Sequence, residues 1–232
     1  LFILLLKKFF LEKEDILLNK YYFFLITFLF SFSANAHTFT GMLGFYDGLS
    51  HPVLGIDHFI AMVSVGVISA QIGGRAIWFV PLVFVLFMIL GGITGMIAEI
   101  NKGLDLQVVN LSESDSIIYI ADYIFTLVEI GIILSVIFLG LSVCFQKKIS
   151  KNIIIFFVAV FGFCHGTAHG LEMPWAVNPI LFVIGFVSGT ATLHLFGVGI
   201  GYYALKSIFS IALLRIIGLI CSLYGTYLII IF

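Results

Sequence analysis

Residues 51–66 read HPVLGIDHFIAMVSVG, two imidazoles and a carboxylate at the head of a run that is otherwise lipid-soluble. An Asp near the centre of a membrane helix costs about 2.5–3.5 kcal/mol even on the lenient insertion scale. Such groups persist where they face a cavity, a partner or an ion. Pro52 suits a first helical turn, which needs no N–H at that position, and makes His51 a candidate cap. Gly55 thins the helix where something can approach.

The rest of the chain puts this stretch in a bilayer. Of 232 residues, 62% are hydrophobic and 10% charged, and the mean hydropathy is +1.22. That is far above the apolar share of a soluble domain. The sequence therefore reads as an all-α, polytopic membrane helix bundle whose surroundings are the lipid bilayer. A net charge of −1 without a dense basic cluster removes the electrostatic footprint that nucleic-acid binding needs. Cys144, Cys164 and Cys221 sit in apolar runs without CxxC spacing, and read as small buried hydrophobes rather than a disulfide or zinc framework.

The chain opens on Leu1, which reads as a non-standard start, a fragment or an over-extended gene model, so residues 1–20 carry little weight. Behind them, Lys13 and Lys20, the apolar run YYFFLITFLFSF and then SANA match the three regions of a secretory signal peptide over 1–36. Cleavage is expected after Ala36, leaving His37 as the mature N-terminus of a permease domain over 37–232. The alternative is an uncleaved first membrane helix.

Six apolar segments follow, at about 53–71, 76–98, 117–144, 152–171, 177–205 and 207–231. Each is close to or above the ~20 residues a helix needs to cross the hydrocarbon core. Arg75, Lys147, Lys148, Lys151 and Lys206 all fall on one side, the side expected to be cytoplasmic. The opposite loops carry Glu99, Asp105, Glu113, Asp115 and Glu172 against Lys102. Both mature termini are then expected to face outward from a bacterial inner membrane, with 99–116 an acidic, solvated outer loop. Gly91 and Gly95, Gly162, Gly166 and Gly170, and Gly185 and Gly189 recur at four-residue spacing, which lets helix backbones approach closely in lipid.

Ionisable groups recur in the spans: His51, Asp57 and His58 in the first, Asp122 and Glu129 in the third, His165, His169 and Glu172 in the fourth, and His194 in the fifth. His51 and His58 are seven apart, as are Asp122 and Glu129, so each pair is expected on one helical face. His165, His169 and Glu172 form an i, i+4, i+7 stripe. Asp57 lies about 100° round from His58, open to a different neighbour. His51, Asp57, His58, His165, His169 and Glu172 fall in the outer third or at the outer surface, Glu129 lies near mid-membrane and His194 lies deeper. Together they mark a path from outside to inside. His37, if cleavage follows Ala36, can chelate through its amine and imidazole, but a free solvated tail is the first reading.

Imidazole with carboxylate at low dielectric suits a divalent first-row transition metal, whereas calcium or magnesium would prefer oxygen alone. Nickel and cobalt both accept these ligands, so the residues leave the two open. A bland reading stands beside each group: a lone His194 can bridge helices by hydrogen bonds, and Asp122 can simply be hydrated.

HPVLGIDHFIAMVSVG together with FGFCHGTAHGLEMP and TATLHLFGVG resembles the HupE/UreJ family of nickel permeases, found beside hydrogenase and urease systems. The resemblance covers the whole mature chain. It implies metal transport through the residues matching the family motifs: His51, Asp57, His58, His165, His169 and Glu172. It also implies import of Ni2+ or Co2+ as cargo, no permanently bound cofactor, no enzymatic activity, and nickel or cobalt enzyme maturation systems as downstream partners. Asp122, Glu129, His194 and His37 are candidate additions to the path. No GxxxxGK[ST] P-loop occurs in the chain. The rival readings are an intramembrane zinc hydrolase built on His165 and His169, and a proton-conducting subunit.

Overall fold

The computed structural model describes residues 44–108, 111–146, 149–172 and 178–232; within 102–122 and at Glu172 only the helical backbone is described. The signal peptide expected over 1–36 and the candidate ligand His37 lie outside these residues. The described residues form seven helices and no strand: α1 (Phe45–Leu54), α2 (Ile56–Ile72), α3 (Ala76–Val108), α4 (Leu111–Phe145), α5 (Lys151–Glu172), α6 (Pro179–Ala204) and α7 (Ile208–Ile231). In lipid every backbone polar group must be satisfied by the protein itself, and the described residues meet that requirement with helices. Five of the helices, α3 to α7, are long and apolar enough to cross a membrane.

Local chemistry sets the ends. Gly73 and Gly74 take φ of +79° and +58°, the left-handed region that turns α2 into α3. Asn178 opens α6 by accepting the Leu181 N–H at 3.1 Å on its side-chain oxygen, with Pro179 following in the first turn.

The sixth crossing is broken. α1 and α2 meet at Gly55 with a bend of 85°. Their contacts advance along α6 in one direction: Gly48 lies against Phe182 and Phe186, Leu49 and Pro52 against Gly189, Val63 and Gly66 against Gly197, and Val67 and Ala70 against Gly201. The two pieces thus run down α6 as one interrupted span. This corrects the expected continuous span at 53–71. Pro52 and His51 belong to the last turns of α1, not to a cap and first turn, and the helix yields at Gly55. The outer segment 99–116 is also corrected: α3 continues to Val108 and α4 begins at Leu111. Once a helix leaves the bilayer, only a strong breaker need stop it, and Gly103 alone is not one.

Packing follows the small residues. α2 is buried on nearly every side and forms the centre of the bundle. α3 and α5 lie backbone to backbone: a Cβ at Gly162 would sit 2.6 Å from the Phe84 carbonyl, and one at Gly166 or Gly170 would strike the carbonyl of Met88 or Gly92. Gly185 and Gly189 serve the same purpose against α1. Lipid tails are as apolar as Leu, so close van der Waals contact of this kind, rather than escape from water, holds the helices together.

Successive crossings run in opposite directions, which brings Arg75, Lys151 and Lys206 to one end. There Lys206 lies 4.5 Å and 4.7 Å over the rings of Tyr202 and Tyr203, an interfacial cation–π pair. Arg215, an exposed charge within α7, donates from Nη2 to Gln146 Oε1 at 3.2 Å. The three cysteines are free thiols, and Cys164 packs against Val128, Ile132 and Ala168.

Candidate functional site

The break at Gly55 sets two helix ends side by side, with His51 in the last turn of α1 and Asp57 and His58 in the first turn of α2. Across from them α5 presents His165 and His169, one turn apart and therefore on one face. Gly166 and Gly170, each one residue further on, point to α3 and allow its approach. The repeated His-Gly pairs thus give α5 a ligand-rich face beside a bare packing face.

Four imidazoles converge. Ring centres lie 4.5 Å apart for His51 and His169, 4.8 Å for His58 and His169, 5.0 Å for His58 and His165, and 6.4 Å for His51 and His58. His165 and His169 are buried. Phe182 and Phe186 of α6 close the side at 5.8 Å and 6.0 Å from His51, and Phe186 lies 4.5 Å from His169. Beside His169 a cavity of about 60 Å³ is lined by Met88, Gly92 and Met96 of α3, Gly166 of α5 and Phe186 of α6 among others. That is enough room for water-sized guests.

Asp57 does not turn to another neighbour. Its Oδ1 lies 3.0 Å from His58 Nδ1, so the ring donates to the carboxylate and turns Nε2 into a lone-pair donor. A carboxylate behind a ligating histidine fixes its tautomer and raises its basicity. The pair folds over Gly55, where a Cβ would lie 3.1 Å from His58 Nδ1 and 3.2 Å from Asp57 Oδ1. On α5, His165 Nδ1 is 2.8 Å from the Phe161 carbonyl; donating there, it too leaves Nε2 as the available nitrogen.

The remaining buried polar groups are treated differently. Ser69, Ser135, Ser142 and Thr167 donate to carbonyls three or four residues back in their own helices, which is how hydroxyls are usually settled inside a membrane. Gln71 donates to the Val143 carbonyl at 3.0 Å, while its Oε1 and Gln146 Nε2 are buried without a hydrogen-bond partner among the described residues. His58 Nε2, His165 Nε2 and both ring nitrogens of His194 are buried with no protein hydrogen-bond partner among the described residues. Buried polar atoms without partners are uncommon and call for an explanation such as an ion.

Below the cluster the rings continue. Phe84 of α3 lies 5.4 Å from His165 and 5.2 Å from His194. His194 thus touches, from α6, the same phenyl ring that His165 touches from α5. Phe84 escaped the sequence reading because nothing distinguishes it among 26 phenylalanines. Glu129 is half-buried on α4, next to Val128, which packs with Ala168 and Cys164 at the depth of the histidine pair. Asp122 and Glu172 lie on α4 and at the end of α5, with side chains outside the description.

Among the described residues, no three His, Cys, Asp or Glu side chains stand in a ready-made metal-holding arrangement. Three of the four imidazole pairs meet edge to face and the His58–His169 pair is tilted at 56°, so a shared ion would have to turn the rings.

The fold and this cluster define a class: a multi-pass helical membrane protein with a histidine-rich interior at a broken helix. The HupE / UreJ protein family matches residues 25–111 and 102–228. Protein HupE of Rhizobium leguminosarum bv. viciae is 35% identical over 167 residues, covering 72% of this chain and 75% of that protein. The chain belongs to the HupE/UreJ family. No solved structure matches it.

Proposed function

We propose that the chain is a permease that admits Ni2+ or Co2+ across the bacterial inner membrane. The observation that carries this reading is the convergence of His51, His58, His165 and His169 at a helix break, with His58 and His165 each holding an Nε2 that has no protein partner among the described residues. Neutral imidazole is the ligand these borderline ions favour, and Asp57 supplies balancing charge. At the break, the last carbonyls of α1 lack helical partners and carry the partial negative charge of a helix C-terminus, which favours a cation. Broken helices at mid-membrane serve ion sites in other transporters for this reason.

A permease site must also release its ion, so moderate rather than tight affinity is what transit requires. Capture at the outer four-histidine cluster, with Glu172 at its rim and Glu129 alongside, is followed by passage to His194. A dication moving inward gains about 4.6 kcal/mol per 100 mV of membrane potential, twice the value for one charge. That sustains a gradient on the order of 2,000-fold. Cytoplasmic nickel or cobalt enzyme maturation would consume the imported ion.

Nickel and cobalt accumulation by cells expressing the chain, compared with His58→Ala and His169→Ala, tests the reading. We expect accumulation to fall to background in both variants. Accumulation equal to that of the unaltered chain in both would overturn it.

A further inference from the structure

The ring ladder has one non-ligating member. From the outer end it runs His51, His169, His58, His165, then Phe84, then His194, each ring centre 4.5–5.4 Å from the next. Phe84 is fully buried and stands perpendicular, at 90°, to the His194 ring. A phenyl ring can neither coordinate a dication nor replace its water.

The surroundings leave the ring as the movable part. The Phe84 backbone is seated on α5, its carbonyl 2.6 Å from where a Cβ of Gly162 would be. One turn further along α3, Met88 Sδ accepts from Thr190 Oγ1 at 3.7 Å, tying α3 to α6 one turn from His194. With the helices fixed on both sides, opening a route past this level falls to the side-chain torsions of Phe84. In contact with this ring from α6, His194 is buried with both nitrogens unpartnered among the described residues, which makes it more than a packed aromatic.

We propose that the Phe84 ring is the barrier between two ion stations, the four-histidine cluster outside it and His194 inside it, and that an ion reaches His194 only when that ring turns aside. The inference rests on the transport reading above. Apolar constrictions gate by excluding water, and a buried phenyl ring is an apolar constriction of that kind.

The test reads access rather than ion flux. In a background with Cys144, Cys164 and Cys221 replaced by alanine, His194→Cys is treated in intact cells with a membrane-impermeant, charged methanethiosulfonate, alone and combined with Phe84→Ala, Phe84→Leu or Phe84→Trp. His58→Cys in the same background serves as the outer reference. We expect His194→Cys to react at least tenfold more slowly than His58→Cys, Phe84→Ala and Phe84→Leu to speed it about tenfold, and Phe84→Trp to leave it slow. The leucine variant keeps an apolar side chain for packing but loses the breadth of the phenyl ring, so the comparison survives if the alanine variant fails to assemble. A thiol at 194 that reacts equally fast with Phe84 and with leucine in its place overturns the barrier. Nickel uptake by the unaltered chain separately decides the transport reading, so the two can fail independently.

Discussion

The His51 and His58 rings lie 6.4 Å apart because α1 and α2 meet at 85°; an unbroken helix would set the two residues two turns, about 10.5 Å, apart along its axis. Gly55, at the corner, has φ −81° and ψ 116°, a conformation alanine also adopts. What alanine adds is a methyl 3.1 Å from His58 Nδ1 and 3.2 Å from Asp57 Oδ1. Gly55→Ala should therefore leave the thermal midpoint of the purified protein nearly unchanged while lowering nickel uptake about tenfold, the scale of a disturbed partner behind a metal ligand. Loss of stability in step with uptake would point to a structural role for the corner instead.

Asp57→Asn tests the carboxylate behind His58. The amide keeps the shape but loses the charge that holds the Nδ1 proton and strengthens Nε2. We expect Ni2+ affinity, measured by calorimetric titration in detergent, to weaken about 10- to 100-fold, with helical content and expression retained. An affinity unchanged by the substitution would mean that the 3.0 Å contact serves the helix end alone.

The glycine faces predict stability rather than transport. A Cβ at Gly166 would strike the Met88 carbonyl, whereas one at Gly199 meets nothing within 4 Å. Gly166→Leu should destabilise the α3–α5 pair by about 1–3 kcal/mol, as overpacking does. Gly199→Ala should be neutral or slightly stabilising. Detergent unfolding followed by circular dichroism compares the two, and similar midpoints would show that α3 and α5 can separate at little cost.

Hydropathy marks the spans well because lipid imposes one requirement on every residue of a crossing: 76–98 falls within α3 (Ala76–Val108), and 207–231 matches α7 (Ile208–Ile231) to within one residue. The same signal cannot see the break at Gly55, since α1 and α2 are both apolar and the bend lies in two backbone torsions. The i, i+4 spacing of His165 and His169 brings both to His58, as a regular helix must. The seven-residue spacing of His51 and His58 correctly joined the two, but through a face that does not exist. Phe84 was illegible for a different reason. Its place between His165 and His194 depends on how α3 crosses α5 and α6, and a single apolar residue carries no record of its tertiary neighbours.

His58 and His165, with ring centres 5.0 Å apart, come from different helices, so a double substitution separates two accounts of them. If both rings serve one ion, either His58→Ala or His165→Ala disables the site, and the second removal has little left to take away. If they act at separate steps, the losses multiply. Residues that work as a unit are strongly non-additive in this sense. We expect each single variant to lose at least tenfold in initial nickel uptake, and the double variant to fall within about threefold of the worse single. Each protein is matched for membrane level by immunoblot, so that a folding defect is not read as a lost ligand. Losses that multiply across the pair would assign the two histidines to successive positions, and would make the outer cluster a relay of sites instead of one.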